Sequence, residues 1–195
     1  YWGSSALTAG RYHFDFTMAF DREVPLLPVF VWFYILAFPF WAVGYLLAAR
    51  RGKDMFYRFV ATDLTIHFIC FICFILIPTT NIRPEIPGNT ISEKILALVY
   101  SLDGGNSPSN LFPSIHCYVS WMCWKGVEGS EKVPKWYQRF SLVFAILIII
   151  STQVLKQHYI VDAAAALLLV EFFWRFYQKG QRHKWVVHVF AHKKK

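Results

Sequence analysis

The sequence predicts an all-α, polytopic membrane helical bundle, on three observations. Apolar residues make up 56% of the 195 residues, whereas a soluble domain reaches about 45–50% only when glycine is counted as well. Charged residues make up 16%, against a usual share of about 25%. The apolar residues also gather in runs as long as the roughly 20 residues that cross a bilayer core. This composition excludes disordered, collagen-like, disulfide-stapled and ordinary soluble proteins.

Five apolar runs are predicted to be membrane spans. One stretch, residues 136–177, has 42 residues with a single polar interruption at 151–158. As one helix it would be about 63 Å long, twice the thickness of the bilayer core, so it must fold back on itself. The predicted spans are 28–49, 56–77, 112–127, 136–151 and 157–177. The odd number is most simply explained by a sixth helix preceding this sequence.

The cations predict the orientation of the spans. Most of the 20 Lys and Arg lie in 50–58, in 125–139 and in the tail from Arg175, and an excess of cations is typical of cytoplasmic segments. We therefore expect a multi-pass protein of the cell membrane. Residues 1–27 would be an extracytoplasmic segment, 28–178 the membrane-embedded domain, and 179–195 a basic cytoplasmic tail.

A short helix is predicted in the outer segment between the second and third spans. Thr90-Ile-Ser-Glu93 has the form of a capping box, in which two side chains satisfy the first backbone amides of a helix. Ile91, Ile95 and Leu98 follow it at helical spacing. A helix with one such apolar face is expected to lie along the membrane interface.

Three groups of polar residues are expected to meet on the outer surface. They are Arg83-Pro84 after the second span, Pro113-Ser114-Ile115-His116 at the start of the third, and the stretch from Ser151 to Asp162. A helix that begins at Pro113 would direct free backbone amides at an anion, and Ser114 would add a hydroxyl group. Together these features are typical of a phosphate site.

The third group supplies a candidate nucleophile. His158 and Asp162 are spaced i, i+4, which would place them on one face of a helix. A carboxylate in that position fixes the imidazole tautomer and leaves the other ring nitrogen free to attack. Arg83 and Lys156 could supply the positive charge that a transferring phosphoryl group needs.

In this combination the motifs resemble the type 2 phosphatidic acid phosphatase superfamily of membrane lipid phosphatases. The resemblance covers residues 28–177, and it implies a metal-independent enzyme without a cofactor that hydrolyses a lipid phosphomonoester or diphosphate through a phosphohistidine. Transferred to this sequence, the roles are a nucleophile (His158), its orienting partner (Asp162), a general acid (His116) and phosphate-binding residues (Arg83, Ser114 and Ser151). The expected partners are a lipid phosphate and membrane lipids, not nucleic acid.

The sequence departs from the family pattern at three positions. Leu76 replaces a lysine of the first motif, Ile115 replaces a glycine of the second, and Thr152 replaces an arginine of the third. Two cations of the usual phosphate clamp are therefore absent, and Lys156 is the only nearby replacement. The His-Tyr-x-x-Asp form of the third motif also resembles the related sphingolipid synthases, which transfer a phospho-headgroup to an alcohol.

Several alternatives stay open at this point. The histidines could belong to a non-catalytic binder or transporter of lipid headgroups. Arg83 and Lys156 could be interfacial anchors, and Ser151 could satisfy the backbone where a helix ends. Asp63 and His67 form a second i, i+4 pair without a surrounding motif.

Overall fold

The computed structural model describes residues 6–105 and 108–191, the last two without their side chains. Within this part of the chain nine α-helices and one pair of very short strands form. The strands are β1 (Phe14–Asp15) and β2 (Thr79–Thr80). The helices are α1 (Ala19–Glu23), α2 (Val31–Ile35), α3 (Ala37–Ala49), α4 (Lys53–Leu76), α5 (Ile91–Leu102), α6 (Ile115–Val127), α7 (Lys135–Val154), α8 (Ile160–Gln178) and α9 (Lys184–Ala191).

The prediction of a helical membrane protein is confirmed, with one small addition. The two strands pair in parallel, Phe14 with Thr79 and Asp15 with Thr80. This pairing attaches the segment before the first long helix to the chain just after α4. The amino-terminal segment is therefore integrated into the fold, although its first five residues lie outside the described part.

Among the described residues, three helices are long and apolar enough to cross a membrane. They are Pro28–Ala49, which comprises a 3-10 turn with α2 and α3, then Lys53–Leu76 and Lys135–Val154. By contrast, α6 has 13 residues and measures about 20 Å, less than a bilayer core. Helix α8 has 19 residues and carries three charged side chains. The count of five spans thus stays a prediction at α6 and α8.

The long apolar stretch folds back as predicted, but its turn lies later than expected. Helix α7 runs on past Ser151 to Val154, and α8 begins only at Ile160. The amides of Gln157 and His158 both donate to the Thr152 carbonyl at 3.0 Å, with Lys156 in the left-handed region at φ 53°, an arrangement that ends helices. His158 therefore precedes α8, and the expectation that it shares a helical face with Asp162 was wrong.

Helix α6, the 13-residue helix that carries the second motif, lies inside the bundle. It packs against α3, α4, α7 and α8, and eight of its 13 residues are buried. At its contact with α3, Gly44 faces Cys123: a β-carbon at Gly44 would lie 2.7 Å from that of Cys123. The core of the bundle thus depends on a glycine that lets two helices approach closely.

The short helix α5 forms at the predicted place, while its position along the membrane interface stays a prediction. The Thr90 hydroxyl accepts the Glu93 amide at 3.2 Å, and the Glu93 carboxylate accepts the Thr90 amide at 3.0 Å. The capping box of α5 is therefore complete. Its Leu96 and Tyr100 are buried in a cluster with Val31, which joins α5 to the bundle by an apolar face.

The carboxyl-terminal tail is anchored at the opposite end of α8. Arg58 of α4 donates to the carbonyls of Tyr177 and Gln178 at 2.8 and 2.6 Å. Val186 of α9 is fully buried, and the His183 ring lies 2.8 Å from the Asp54 carboxylate. The lysines at 193–195 of the predicted basic tail lie outside the described residues.

Replacing Gly44 with alanine should destabilise the bundle. The added methyl group would overlap Cys123, and overpacking of this kind costs about 1–3 kcal/mol. The measurement is the unfolding free energy in mixed micelles, followed by circular dichroism. Gly10→Ala is the matched control, because a β-carbon there meets nothing within 4 Å. Equal stability of the two variants would contradict the close α3–α6 contact.

Candidate functional site

The second polar motif lies at the start of α6. Ser114, not Pro113, caps this helix, and its hydroxyl oxygen accepts the Cys117 amide at 3.3 Å. The cap satisfies one of the free amides that end a helix. It also places His116 in the first turn, on the buried helix of the bundle.

The third motif lies at the start of α8. The Asp162 carboxylate accepts the Tyr159 amide at 2.9 Å and lies 3.5 Å from Nδ1 of His158. The Asp162 carbonyl accepts the Ser114 amide at 3.3 Å. This last bond joins the first turns of α6 and α8, so the two predicted histidine motifs meet directly.

The two histidines share one cavity. Their ring centres are 6.2 Å apart, and both line a space of about 430 Å³. The other walls are mainly apolar and come from α2, α3, α5, α6 and the loop between α5 and α6; they comprise Tyr34, Ile35, Phe38, Trp41, Val99, Leu102, Asp103, Asn110 and Ile115. Two imidazoles thus lie at one end of a cavity that is otherwise suited to an apolar ligand.

Three aromatic side chains fix the position of the His116 ring. Tyr34 is stacked on it at 4.2 Å between centres, Trp41 lies at 5.0 Å and Phe38 at 5.8 Å. Offset and edge contacts of this type favour a single ring orientation. The sequence did not reveal these residues, because they lie in an apolar run without a distinctive pattern.

Arg83 is buried beside the site and has several partners. Its guanidinium donates to the Asp103 carboxylate at 2.6 Å and to the carbonyls of Asp103 and Gly105 at 3.1 Å. It also donates to the Gln157 side chain and lies 4.7 Å from the centre of the Tyr100 ring. Nothing in the sequence marks Asp103 or Gln157 as partners of Arg83, because a carboxylate and an amide in loops carry no motif.

The remaining two predicted phosphate ligands contact other groups. The Ser151 hydroxyl donates to the Ile148 carbonyl at 2.6 Å within α7. The Lys156 ammonium donates to the carbonyls of Asp21 and Val24, and burial lowers its pKa. A phosphate-binding role stays a prediction for all four residues, since the side chains that line the cavity of the two histidines do not include those of Arg83, Ser114, Ser151 or Lys156.

A carboxylate from the amino-terminal segment caps α8. Asp21 is buried; it accepts the Ile160 amide at 2.9 Å and the Met18 amide at 2.8 Å. Ile160 is the first residue of α8, two positions after His158. Asp21 thus supports the start of the helix that carries the third motif. The sequence does not reveal this support, because Asp21 lies 137 positions before His158.

Several buried polar atoms around the histidines make no hydrogen bond within the described residues. They include Nε of Arg83, Nε2 of His116 and Nδ1 of His158. Buried polar atoms usually have a partner, so these three are free to bind water or a polar ligand group. No three His, Cys, Asp or Glu side chains in the described ranges are grouped closely enough to hold a metal ion.

Removing the Asp21 carboxylate should loosen the start of α8. In Asp21→Ala two amides lose their acceptor, and a lost cap costs about 0.5–2 kcal/mol. Hydrogen exchange should therefore become faster at the amides of residues 159–162. Glu23→Ala serves as the control, since Glu23 lies on the exposed side of the same short helix. Unchanged exchange in Asp21→Ala would refute the support by Asp21.

A comparison with protein-family models agrees with this geometry. The model described as the PAP2 superfamily matches residues 10–175. No curated protein and no solved structure gives a significant match. The family match spans the strand pair, both histidine motifs and the bundle core, and it supports a membrane-associated enzyme of the phosphatase type. By its sequence, and in keeping with the arrangement of its histidines, this chain belongs to the PAP2 superfamily.

Proposed function

We propose that the protein is an integral membrane lipid phosphatase that uses His158 as its nucleophile. The observation that carries the proposal is the shared cavity: two histidines, 6.2 Å apart between ring centres, face an apolar space of about 430 Å³. Pockets that combine apolar walls with a few polar groups are typical ligand sites. The polar groups here are those that phosphoryl transfer through a histidine requires.

The apolar walls favour a lipid as substrate. Phe38 and Leu102 line the cavity, and 56% and 70% of their surfaces are exposed. In a bilayer such side chains contact hydrocarbon, so an acyl or prenyl chain can enter from the membrane without crossing water. A soluble phosphate ester would gain nothing from these walls.

The phosphate is expected to bind beside the two histidines. Among the phosphate ligands that the family resemblance implies, Ser114 caps the helix that carries His116, and Arg83 is a cation that contacts Gln157, the neighbour of His158. Its partner Asp103 also lines the cavity. A phosphate that binds Arg83 therefore competes with a carboxylate for the guanidinium, which lowers the affinity for free phosphate.

The first chemical step forms a covalent intermediate. Since Nδ1 of His158 faces Asp162, Nε2 is the nitrogen that attacks phosphorus. A bond forms between this nitrogen and phosphorus while the bond from phosphorus to the lipid oxygen breaks. His116 gives a proton to the departing oxygen, so a lipid alcohol leaves and a phosphohistidine remains.

The second step restores the enzyme. A water molecule loses a proton to His116 and attacks phosphorus, and the bond from phosphorus to nitrogen breaks. Phosphate leaves and His158 is again neutral. The negative charge that develops on the phosphoryl oxygens is stabilised by Arg83 and the Ser114 hydroxyl.

The same proposal includes an orientation in the cell membrane. The site would face the extracytoplasmic side, and the carboxyl terminus would lie in the cytoplasm. The support is the distribution of cations: the loop from Arg50 to Lys53 and the start of α7 are rich in them, as is the end of α8 away from His158. Such clusters are typical of the cytoplasmic side.

Activity measurements on two histidine variants test the mechanism. His158→Ala should reduce phosphate release from a panel of lipid phosphates to background, because the nucleophile is lost. His116→Ala should lower kcat about 10²–10⁴-fold, the usual contribution of a general acid. His188→Ala, at an exposed position of α9, is the control and should retain full activity.

The assay includes a chelator and a lipid alcohol as a second acceptor. Full activity with chelator supports metal independence, and its loss would refute it. Headgroup label that moves to the added lipid instead of free phosphate would identify a transferase. Activity that survives His158→Ala would exclude the phosphohistidine, and complete inactivity of the wild type on the whole panel would favour a headgroup binder.

The charge of Asp103 should limit phosphate binding. In Asp103→Asn the competitor for Arg83 becomes neutral while a hydrogen-bond acceptor remains, so the inhibition constant of inorganic phosphate should fall by about ten-fold, or 1.4 kcal/mol. Asp103→Glu keeps the charge and should behave like the wild type. The same inhibition constant in both variants would show that phosphate does not bind at Arg83.

A further inference from the structure

A second cavity lies at the end of α8 away from His158. It has a volume of about 390 Å³ and is lined by Arg175, Lys179 and Arg182 together with apolar side chains of α8. None of the residues that line this second cavity takes part in the proposed catalysis. We refer to these three cations and the neighbouring Leu168, Phe172 and Phe176 as the basic groove.

The charge of the basic groove is not balanced within the described residues. Its one carboxylate, Glu171, lies 3.3 Å from Arg175 and 3.0 Å from Lys125. Glu171 also accepts the Trp121 indole N–H at 2.9 Å. In the described part of the chain Lys179 and Arg182 have no carboxylate partner, so the groove is positively charged where it meets solvent.

An apolar stripe leads up to these cations. Leu168, Phe172 and Phe176 are spaced i, i+4, i+8 and therefore lie along one side of α8. Their exposed fractions are 70%, 63% and 37%, and the stripe is about 12 Å long. The Arg182 guanidinium lies 4.3 Å from the centre of the Phe176 ring, at the boundary between the stripe and the cations.

We propose that the basic groove binds an anionic phospholipid, with the phosphate on the cations and an acyl chain along the stripe. The stripe ends at Phe176, beside the Arg182 guanidinium and ahead of Lys179, so the acyl chain and the phosphate of one lipid can contact the stripe and the cations together. Cationic pockets beside membrane helices are suited to anionic headgroups. This site is separate from the catalytic cavity, and in the proposed orientation it faces the inner leaflet.

The chemistry favours a lipid over other anions. A soluble phosphate would use the cations but leave three large apolar side chains without a contact. A zwitterionic lipid would use the stripe, but its own cation would offset the attraction of its phosphate. Only a lipid with net negative charge satisfies both parts of the groove.

Native mass spectrometry of the full chain in detergent can test whether the basic groove binds an anionic phospholipid. The probes are phosphatidylglycerol and phosphatidylcholine with identical acyl chains, each titrated against the wild type and two triple variants. The first variant is Arg175→Gln, Lys179→Gln, Arg182→Gln. The matched control is Lys132→Gln, Lys135→Gln, Arg139→Gln, which removes the same charge from exposed positions outside the groove.

We expect the groove variant to bind phosphatidylglycerol at least about ten-fold more weakly, because each cation near a membrane surface contributes about a five-fold effect. Its affinity for phosphatidylcholine and the affinities of the control should stay within two-fold of the wild type. Equal losses in both triple variants, or no loss in either, would overturn the proposal. Displacement of the lipid by millimolar inorganic phosphate would also overturn it, since the site would then select phosphate alone.

The experiment keeps lipid binding apart from effects on folding and on catalysis. If the triple variant does not fold, Lys179→Gln with Arg182→Gln removes only the cations without a carboxylate partner and should still weaken phosphatidylglycerol binding by at least about three-fold. An unchanged affinity would refute the site. Because the readout is bound lipid, its outcome does not depend on whether the protein proves to be a phosphatase.

Discussion

One hydrogen bond determines much of the site: the Ser114 amide donates to the Asp162 carbonyl. It joins the first turns of two helices whose sequences lie more than 40 residues apart. Because His116 lies in the first turn of α6 and His158 directly precedes α8, the bond sets the relative position of the two histidines. The cap by Asp21 and the stacking of Tyr34 on His116 support the two sides of this junction.

A second constraint is the buried charge of Arg83. An arginine without solvent needs hydrogen bonds to several acceptors, and here they come from the loop after α5 and from the turn before α8. The Tyr100 hydroxyl adds a bond to the Leu155 carbonyl at 2.6 Å, and burial raises the pKa of Tyr100 to about 12, so it stays a donor. The interfacial helix, Arg83 and the turn before α8 therefore form one connected unit.

The sequence was informative where periodicity or spacing carries the signal. The helical class, the capping box at Thr90 and the meeting of the two histidine motifs follow from such patterns. The turn between α7 and α8 was predicted too early in the sequence. A left-handed residue at the end of a helix is usually glycine, and here it is Lys156, which does not mark a helix end. Asp21, Tyr34 and Asp103 could not be predicted, since each acts through a tertiary contact with a distant segment.

Helix α8 carries the third motif at one end and the basic groove at the other. Its 19 residues span about 28 Å, close to the thickness of a bilayer core. If its two ends bind phosphates in opposite leaflets, the fixed length of the helix makes both contacts depend on the thickness of the bilayer. A thicker bilayer would then draw the catalytic end below the plane of its substrate phosphates, and hydrophobic mismatch would control how readily the substrate reaches the histidines.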